Sequence, residues 1–338
     1  MRLAVYNPLP AALAHYTRGV SQILTRLGVE HDLVVSGSIE VGSSGGRSLA
    51  SRAAQAMAER KPLRGRDVLA VWPAFADLDP AVWALAGPRS ATLIWHDPVP
   101  IRRTHGSHRW ARVVGQRAQR LTGLRVAVHS EAARVDLQER GWRVATSVAH
   151  PFVDRPVPVV DRSPVALVAG QFKPERDLST LRALAPRLAA AGLVPRIVGA
   201  GWPEIPGWQL ESRFLDEAEL DEELASAAVV LLPYQRVYQS GIAVRAAETG
   251  TPVVGRADTN LVELFGVDWP GLVDPAVPDV AAWEEAVART TAVTPADTAE
   301  RIGRWKHAVT ASWEAFVHGE GWLPSPVVET NRIPGRPA

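Results

Sequence analysis

Residues 231–254 read LLPYQRVYQSGIAVRAAETGTPVV. An apolar run meets Pro233, a polar loop follows, Ser240 and Gly241 open a stretch of helix formers, Gly250 stops it, and a second β-branched run begins at Pro252. The segment predicts strand, loop, short helix and strand, and two strands joined through a helix are the crossover of a parallel sheet. Ser240 is a good N-cap, Gly241 lets a ligand approach the backbone, and Gly250 supplies a left-handed end. The amides of Ser240, Gly241 and Ile242 then face outward at the positive end of a helix dipole, which suits an anion such as a diphosphate. Taken alone, the segment is better read as an ordinary capped helix with no ligand, because such caps are common.

The stretch 165–181, VALVAGQFKPERDLSTL, adds to this. A buried strand ends at Gly170, and a loop carrying Lys173 and Arg176 precedes the next helix. Arg176 can fork onto phosphate oxygens and Lys173 can add a point charge. Short strands alternate with helical patterns along the rest of the chain. The first half has strands expected at 3–6, 32–35, 68–72, 92–96 and 126–129, and the second at 165–169, 196–199, 228–232 and 252–254. Between the halves PFVDRPVPVVDRSP (151–164) carries four prolines and can be neither helix nor central strand. The expected organisation is an α/β chain of two Rossmann-like domains facing across a cleft. Residues 1–150 form the first domain, 151–164 the linker and 165–300 the second domain. A helix at 301–322 packs back on the first domain, and 323–338 form a proline-rich tail. Gly42–Gly46 (GSSGG) reads as a flexible loop.

With 46% hydrophobic and 22% charged residues the 338-residue chain is an ordinary globular protein, not a disordered or fibrous one. A net charge of +1 supplies no general field for nucleic acid, and no cysteine is present for disulfides, thiolate metal sites or a thiol nucleophile. No metal site is expected. No signal-peptide core or membrane-spanning run is visible, so a cytoplasmic location is expected. One patch is unbalanced: Arg102, Arg103, Arg109, Arg112, Arg117, Arg120 and Arg125 fall between Pro98 and Ser130 without a single Asp or Glu, and Trp110 lies among them. This patch suggests peripheral contact with an anionic membrane face or an acidic acceptor, against the plainer reading of a solvated face.

The order of several segments resembles the retaining glycosyltransferases of family 4, which have the two-domain GT-B fold. GQFKPERDLSTL (170–181), RIVGAGWP (196–203), RFLDEAELDEELASAAVVLLPY (213–234) and AAETGTPVVG (246–255) are similar to successive family segments. So are VAVHSEAARVDLQERGW (126–142) and VAHPFVD (148–154) in the first half. The resemblance implies transfer of a sugar, with retention, from a nucleotide-diphosphate sugar held mainly by the second domain. The acceptor, a lipid-linked molecule, a glycan or a small molecule, sits mainly on the first. No further cofactor is implied. Closure about 151–164 brings donor and acceptor together.

The chain departs from the family at the E-x7-E motif, whose glutamates fall at Val237 and Arg245. The second normally holds the donor ribose, so Arg245 here either reaches phosphate or marks a changed donor pocket. Glu248 is expected on the surface near the end of its helix. In the first half ATLIWHDPVPIRR (91–103) runs a buried strand into His96 and Asp97. His96 can bond a sugar hydroxyl or accept a proton, and Asp97 can orient it or face the acceptor. The family places a histidine at this strand end against the donor sugar, which makes His96 and Asp97 the catalytic candidates. His15 and Tyr16 are weaker acceptor-side candidates, better read as helix-face residues. The competing function is a non-catalytic protein of the same fold that binds a glycan or a partner enzyme.

Overall fold

The computed structural model describes residues 2–36, 49–99, 106–157, 161–276 and 279–322. The expected loop at 42–46, Arg102 and Arg103, part of the proline-rich joint and the tail at 323–338 lie outside the described residues. Two parallel sheets make up the molecule. The first contains β1 (Leu3–Asn7), β2 (His31–Val35), β3 (Asp67–Ala70), β4 (Ser90–Ile94), β5 (Arg125–Val128) and β6 (Thr146–Ser147), in the order β2-β1-β3-β4-β5-β6. The second contains β7 (Ser163–Ala169), β8 (Val194–Val198), β9 (Gln209–Glu211), β10 (Ala227–Leu232), β11 (Val253–Arg256) and β12 (Leu272–Val273), in the order β12-β11-β10-β7-β8-β9. Helices α1 (Ala14–Arg26), α2 (Leu49–Arg60), α3 (Asp79–Ala86), α4 (Arg109–Thr122) and α5 (Glu131–Glu139) belong to the first unit. Helices α6 (Leu178–Ala190), α7 (Glu217–Ser226), α8 (Gly241–Glu248), α9 (Leu261–Phe265) and α10 (Val280–Thr291) belong to the second, and α11 (Pro295–Gly319) closes the chain.

The central strands are mostly apolar, as strands of a parallel sheet covered by helices on both faces are. All five residues of β1 are buried, and the end of β7 and nearly all of β10 are too. The sheet orders locate the ligand crevice. The order in which successive strands are laid down reverses between β1 and β3 in one sheet and between β7 and β10 in the other. At such a switch the loops after the strands' carboxyl ends splay apart and leave a gap. Here the two gaps face each other.

The joint and the last helix fix their relation. Ser163 already pairs with Ala227, so β7 starts before the expected end of the linker. Helix α11 begins at Pro295, upstream of 301, because the Thr294 side chain accepts from Asp297 N and Pro295 sits at the first turn, where a missing N–H costs nothing. Near its start Arg301 pairs with Asp268 of the second unit. Further along, Trp305 packs on Phe152, Trp313 Nε1 donates to Ala149 O at 2.9 Å, and Arg125 of the first unit donates to Gly319 O. No helix among the described residues is long and apolar enough to cross a membrane.

Candidate functional site

The facing loops enclose a cavity of about 330 Å³. Segments after β1, β4, β7 and β10 line it, so both switch points contribute. His96, Asp97, Gly170, Lys173, Arg176, Ser240, Gly241, Ile242 and Arg245 all reach this one cavity, and His15 and Tyr16 join them.

On the second unit, β7 is followed by Gly170, whose φ of +93° turns the chain. Gly199 at the end of β8 lies so close that a Cβ there would sit 2.2 Å from Gly170 O, so only glycine allows this approach. The turn throws Arg176 back under the cavity. Its backbone bridges Tyr234, its guanidinium carbon lies 4.0 Å from the Tyr234 ring centre and 5.2 Å from that of Trp202, and Nη2 donates to Ala169 O at 2.9 Å. The side chain is buried, and Nε and Nη1 have no hydrogen-bond partner among the described residues. Burial lowers the Arg176 pKa, yet a guanidinium remains charged at any ordinary pH. A buried cation with two idle donors needs an anion. Above it, Ser240 caps α8 by accepting from Ala243 N, which leaves the first amides of the helix without intrahelical carbonyls. Open space lies where a Gly241 side chain would project. Gly250, with φ of +74°, ends the helix. Lys173 is exposed at the cavity rim.

Arg245 faces differently. Its Nε and Nη2 bind Asp221 at 2.8 and 2.6 Å, and Nη2 also donates to Glu217 O. Of the two readings for Arg245, this geometry favours the changed pocket over direct phosphate contact. Glu248 overturns the surface expectation outright, being fully buried. Oε2 bonds His15 Nε2 of α1 at 2.8 Å and Oε1 accepts from Val153 N of the joint at 2.8 Å. The helix end that would be solvated in an isolated domain is covered here by the other unit.

On the first unit, His96 is buried at the end of β4. Nε2 donates to Val71 O at 2.9 Å, and Nδ1 accepts from Gln239 Nε2, across the cleft, at 2.9 Å. Both ring nitrogens are therefore engaged. The ring belongs to a buried cluster in which it contacts Tyr16 (4.7 Å), Trp72 (4.9 Å) and His129 (5.0 Å). His129 Nδ1 donates to Val148 O and its Nε2 accepts from the Tyr16 hydroxyl, while His150 Nδ1 donates to Pro151 O. Burial, opposed by the Val71 carbonyl, lowers His96 to about 4. Burial and the neighbouring His96 lower His150 to about 3, and the same forces hold His129 well below its usual range. All three are neutral near pH 7. Asp97 is half-buried. Burial raises its pKa, Lys173 and Arg236 oppose that, and Glu175 adds to it.

Several residues of the cavity and of the buried cluster behind it carried no sequence signal of their own. Gln239 and Tyr234 sit in an irregular loop, and His129 and His150 appear only as single polar residues closing short apolar runs. No group of three or more His, Asp or Glu among the described residues is arranged to hold a metal ion.

Two doubly wound parallel sheets with facing switch points, tied by a returning terminal helix, constitute the GT-B fold. No protein-family model matches the chain, and neither does any curated protein sequence. Solved structures do match. AviGT4, a glycosyltransferase involved in avilamycin A biosynthesis, is 17% identical with a TM-score of 0.61 over 95% of this chain and 98% of its own. Sucrose-phosphate synthase from Thermosynechococcus elongatus is 15% identical, with a TM-score of 0.62 over 95% and 97%. TarM is 11% identical, with a TM-score of 0.60 over 81% of this chain, which spans 58% of TarM's length. Identities this low establish the shared fold.

Proposed function

We propose that the protein is a retaining glycosyltransferase of the family 4 type that uses a nucleotide-diphosphate sugar. The observation that carries this reading is Arg176: a buried guanidinium with two unpartnered N–H donors, in the same cavity as the open first turn of α8. Those groups are suited to a pyrophosphate, which becomes the leaving group. In the reaction the bond between the anomeric carbon and the β-phosphate oxygen breaks, and an acceptor oxygen bonds the anomeric carbon on the same face. The acceptor proton passes to the departing phosphate. Arg176, Lys173 and the amides at Gly241 and Ile242 stabilise the charge that develops there. Asp97, at the first unit's edge of the cavity, orients the acceptor hydroxyl. The fold neighbours AviGT4, named as a glycosyltransferase, and sucrose-phosphate synthase support the transferase class.

Calorimetry with UDP, GDP and dTDP tests this. Wild type binds at least one of them, and Arg176→Ala loses roughly 100-fold in affinity, since two charge-assisted hydrogen bonds are worth about 3 kcal/mol or more. Failure of every nucleoside diphosphate to bind would sink the proposal and favour a non-catalytic glycan-binding or enzyme-partner role. Retention is read from the anomeric proton coupling of the first product.

A second reading concerns where the acceptor is met. Helix α4 buries its small and polar residues Ala111, Gly115 and Gln119, and turns Trp110 (55% exposed), Val113, Val114 and Leu121 (77% exposed) to solvent beside Arg109, Arg117 and Arg120. This inverted face suits the headgroup region of an anionic membrane. Flotation with phosphatidylglycerol vesicles checks it: wild type floats, and Trp110→Ser with Leu121→Ser does not. Equal flotation of both proteins removes the membrane from the account.

A further inference from the structure

The hydrogen bonds around His96 leave one buried atom unexplained. Val71 O can only accept, so His96 Nε2 carries the proton and Nδ1 of the neutral ring is an acceptor. The end of the Gln239 side chain facing Nδ1 must then be its NH2 group, at 2.9 Å. Turning the amide over would set its oxygen against a lone pair unless the imidazole were charged, and burial among Tyr16, Trp72 and His129 opposes that charge. The orientation of Gln239 is thereby fixed. Gln239 lines the cavity, and its Oε1 is buried with no hydrogen-bond partner among the described residues. A buried carbonyl oxygen left unpaired is costly and calls for a donor.

Position in the chain says which part of a ligand supplies that donor. Gln239 directly precedes the Ser240 cap, and the amides suited to phosphate follow at Gly241 and Ile242. If the diphosphate sits on those amides, as the proposed function has it, Gln239 is next to the place of the attached sugar. We propose that Gln239 reads the transferred sugar, its Oε1 accepting one ring hydroxyl, while His96 acts through Gln239 as a positioning residue and offers no nitrogen of its own to the reaction. This rests on the transferase reading and deepens it. It assigns to the second unit a contact that the sequence had placed on His96. It also couples recognition to closure, because the bond that orients Gln239 crosses between the two units.

The test separates sugar recognition from phosphate binding. Affinities of UDP, GDP and dTDP are compared with those of UDP-glucose, GDP-mannose and dTDP-glucose, in wild type, Gln239→Leu and Gln239→Asn, the last too short to reach both His96 and the sugar. Both variants should bind the free diphosphates within about twofold of wild type. They should lose about tenfold for the sugar nucleotide that wild type prefers, the equivalent of one hydrogen bond. In a monodeoxy series of that donor, one analogue should lose tenfold with wild type and nothing with Gln239→Leu. Independently of any ligand, nitrogen-15 spectra of the free wild-type protein should show His96 protonated at Nε2. Its Nδ1 should be partly shielded by a donor, and that shielding should vanish in Gln239→Leu. Sugar-nucleotide affinity unchanged in both variants, or a His96 protonated at Nδ1, overturns this inference while leaving the transferase reading standing. Absence of binding by any diphosphate overturns both.

Discussion

Lowering the pH from 7.5 to 5.0 should strip much of the stability from this protein, through three imidazoles. In the unfolded chain His96, His129 and His150 titrate near 6.5, whereas folded His96 titrates at about 4, folded His150 at about 3, and folded His129 well below 6.5. Burial is the leading cause in each. Because the folded values are depressed, the unfolded chain takes up protons first, and the stabilisation present above pH 6.5 is lost as pH falls toward 4. At pH 5, a unit and a half below the unfolded value, each ring that stays neutral in the fold costs about 2 kcal/mol. His96 and His150 together cost about 4 kcal/mol, a large share of the whole stability of a typical domain, and His129 adds in the same direction. Carboxylates held low by arginine partners, such as Asp67 and Asp221, weaken the fold mainly below this window. Glu263, raised to about 7 by burial against the first turn of α5, acts in the opposite direction, so Glu263→Gln is the background of choice. Urea midpoints at the two pH values, followed by the fluorescence of the twelve tryptophans, give the difference. Imidazole resonances of the folded protein that titrate together near 6.5, or a midpoint indifferent to pH between 7.5 and 5.0, would refute the reasoning.

Other perturbations have definite expected outcomes. Arg60→Leu should cost about 3–5 kcal/mol, because Asp79, fully buried and bound to Arg60 Nη2 at 2.8 Å, is left with Trp83 Nε1 as its remaining side-chain donor. Adding Asp79→Asn should recover part of the loss in urea unfolding. Gly115→Ala should cost about 3 kcal/mol or more, since the new methyl would lie 2.0 Å from Asp77 O and 2.9 Å from the Trp142 ring. A melting temperature within a degree of wild type would contradict that packing. Glu248→Ala, which leaves His15 and Val153 N unpaired, should destabilise by about 3–5 kcal/mol. Glu248→Gln, which can still accept from Val153, should cost less than half as much in the same measurement.

The fold was legible because each central strand is a run of buried aliphatic residues and each long helix has an apolar stripe. Strands β6, β9 and β12, two or three residues each, are too short to carry a period. The second unit's share of the cavity lining was equally legible. Gly170, Arg176 and the Ser240–Ile242 turn are adjacent in sequence to the strands that place them, so local chemistry located them. Glu248 and Gln239 were not legible in the same way. Their partners, His15 and His96, lie 233 and 143 positions away, and nothing local distinguishes a helix end covered by another domain from one in water. Helix α4 misleads for a related reason: its period is correct, but its small and polar face is the buried one.

Helix α11 has a mechanical consequence. A rod of 25 residues, about 37 Å long, begins on the second unit, lies against Phe152 and Asp154 of the proline-rich joint, and ends on the first. It therefore splints the hinge it crosses. Opening the two halves away from each other would unseat its Arg301 end, whereas rotation about the rod's axis would leave both attachments in place.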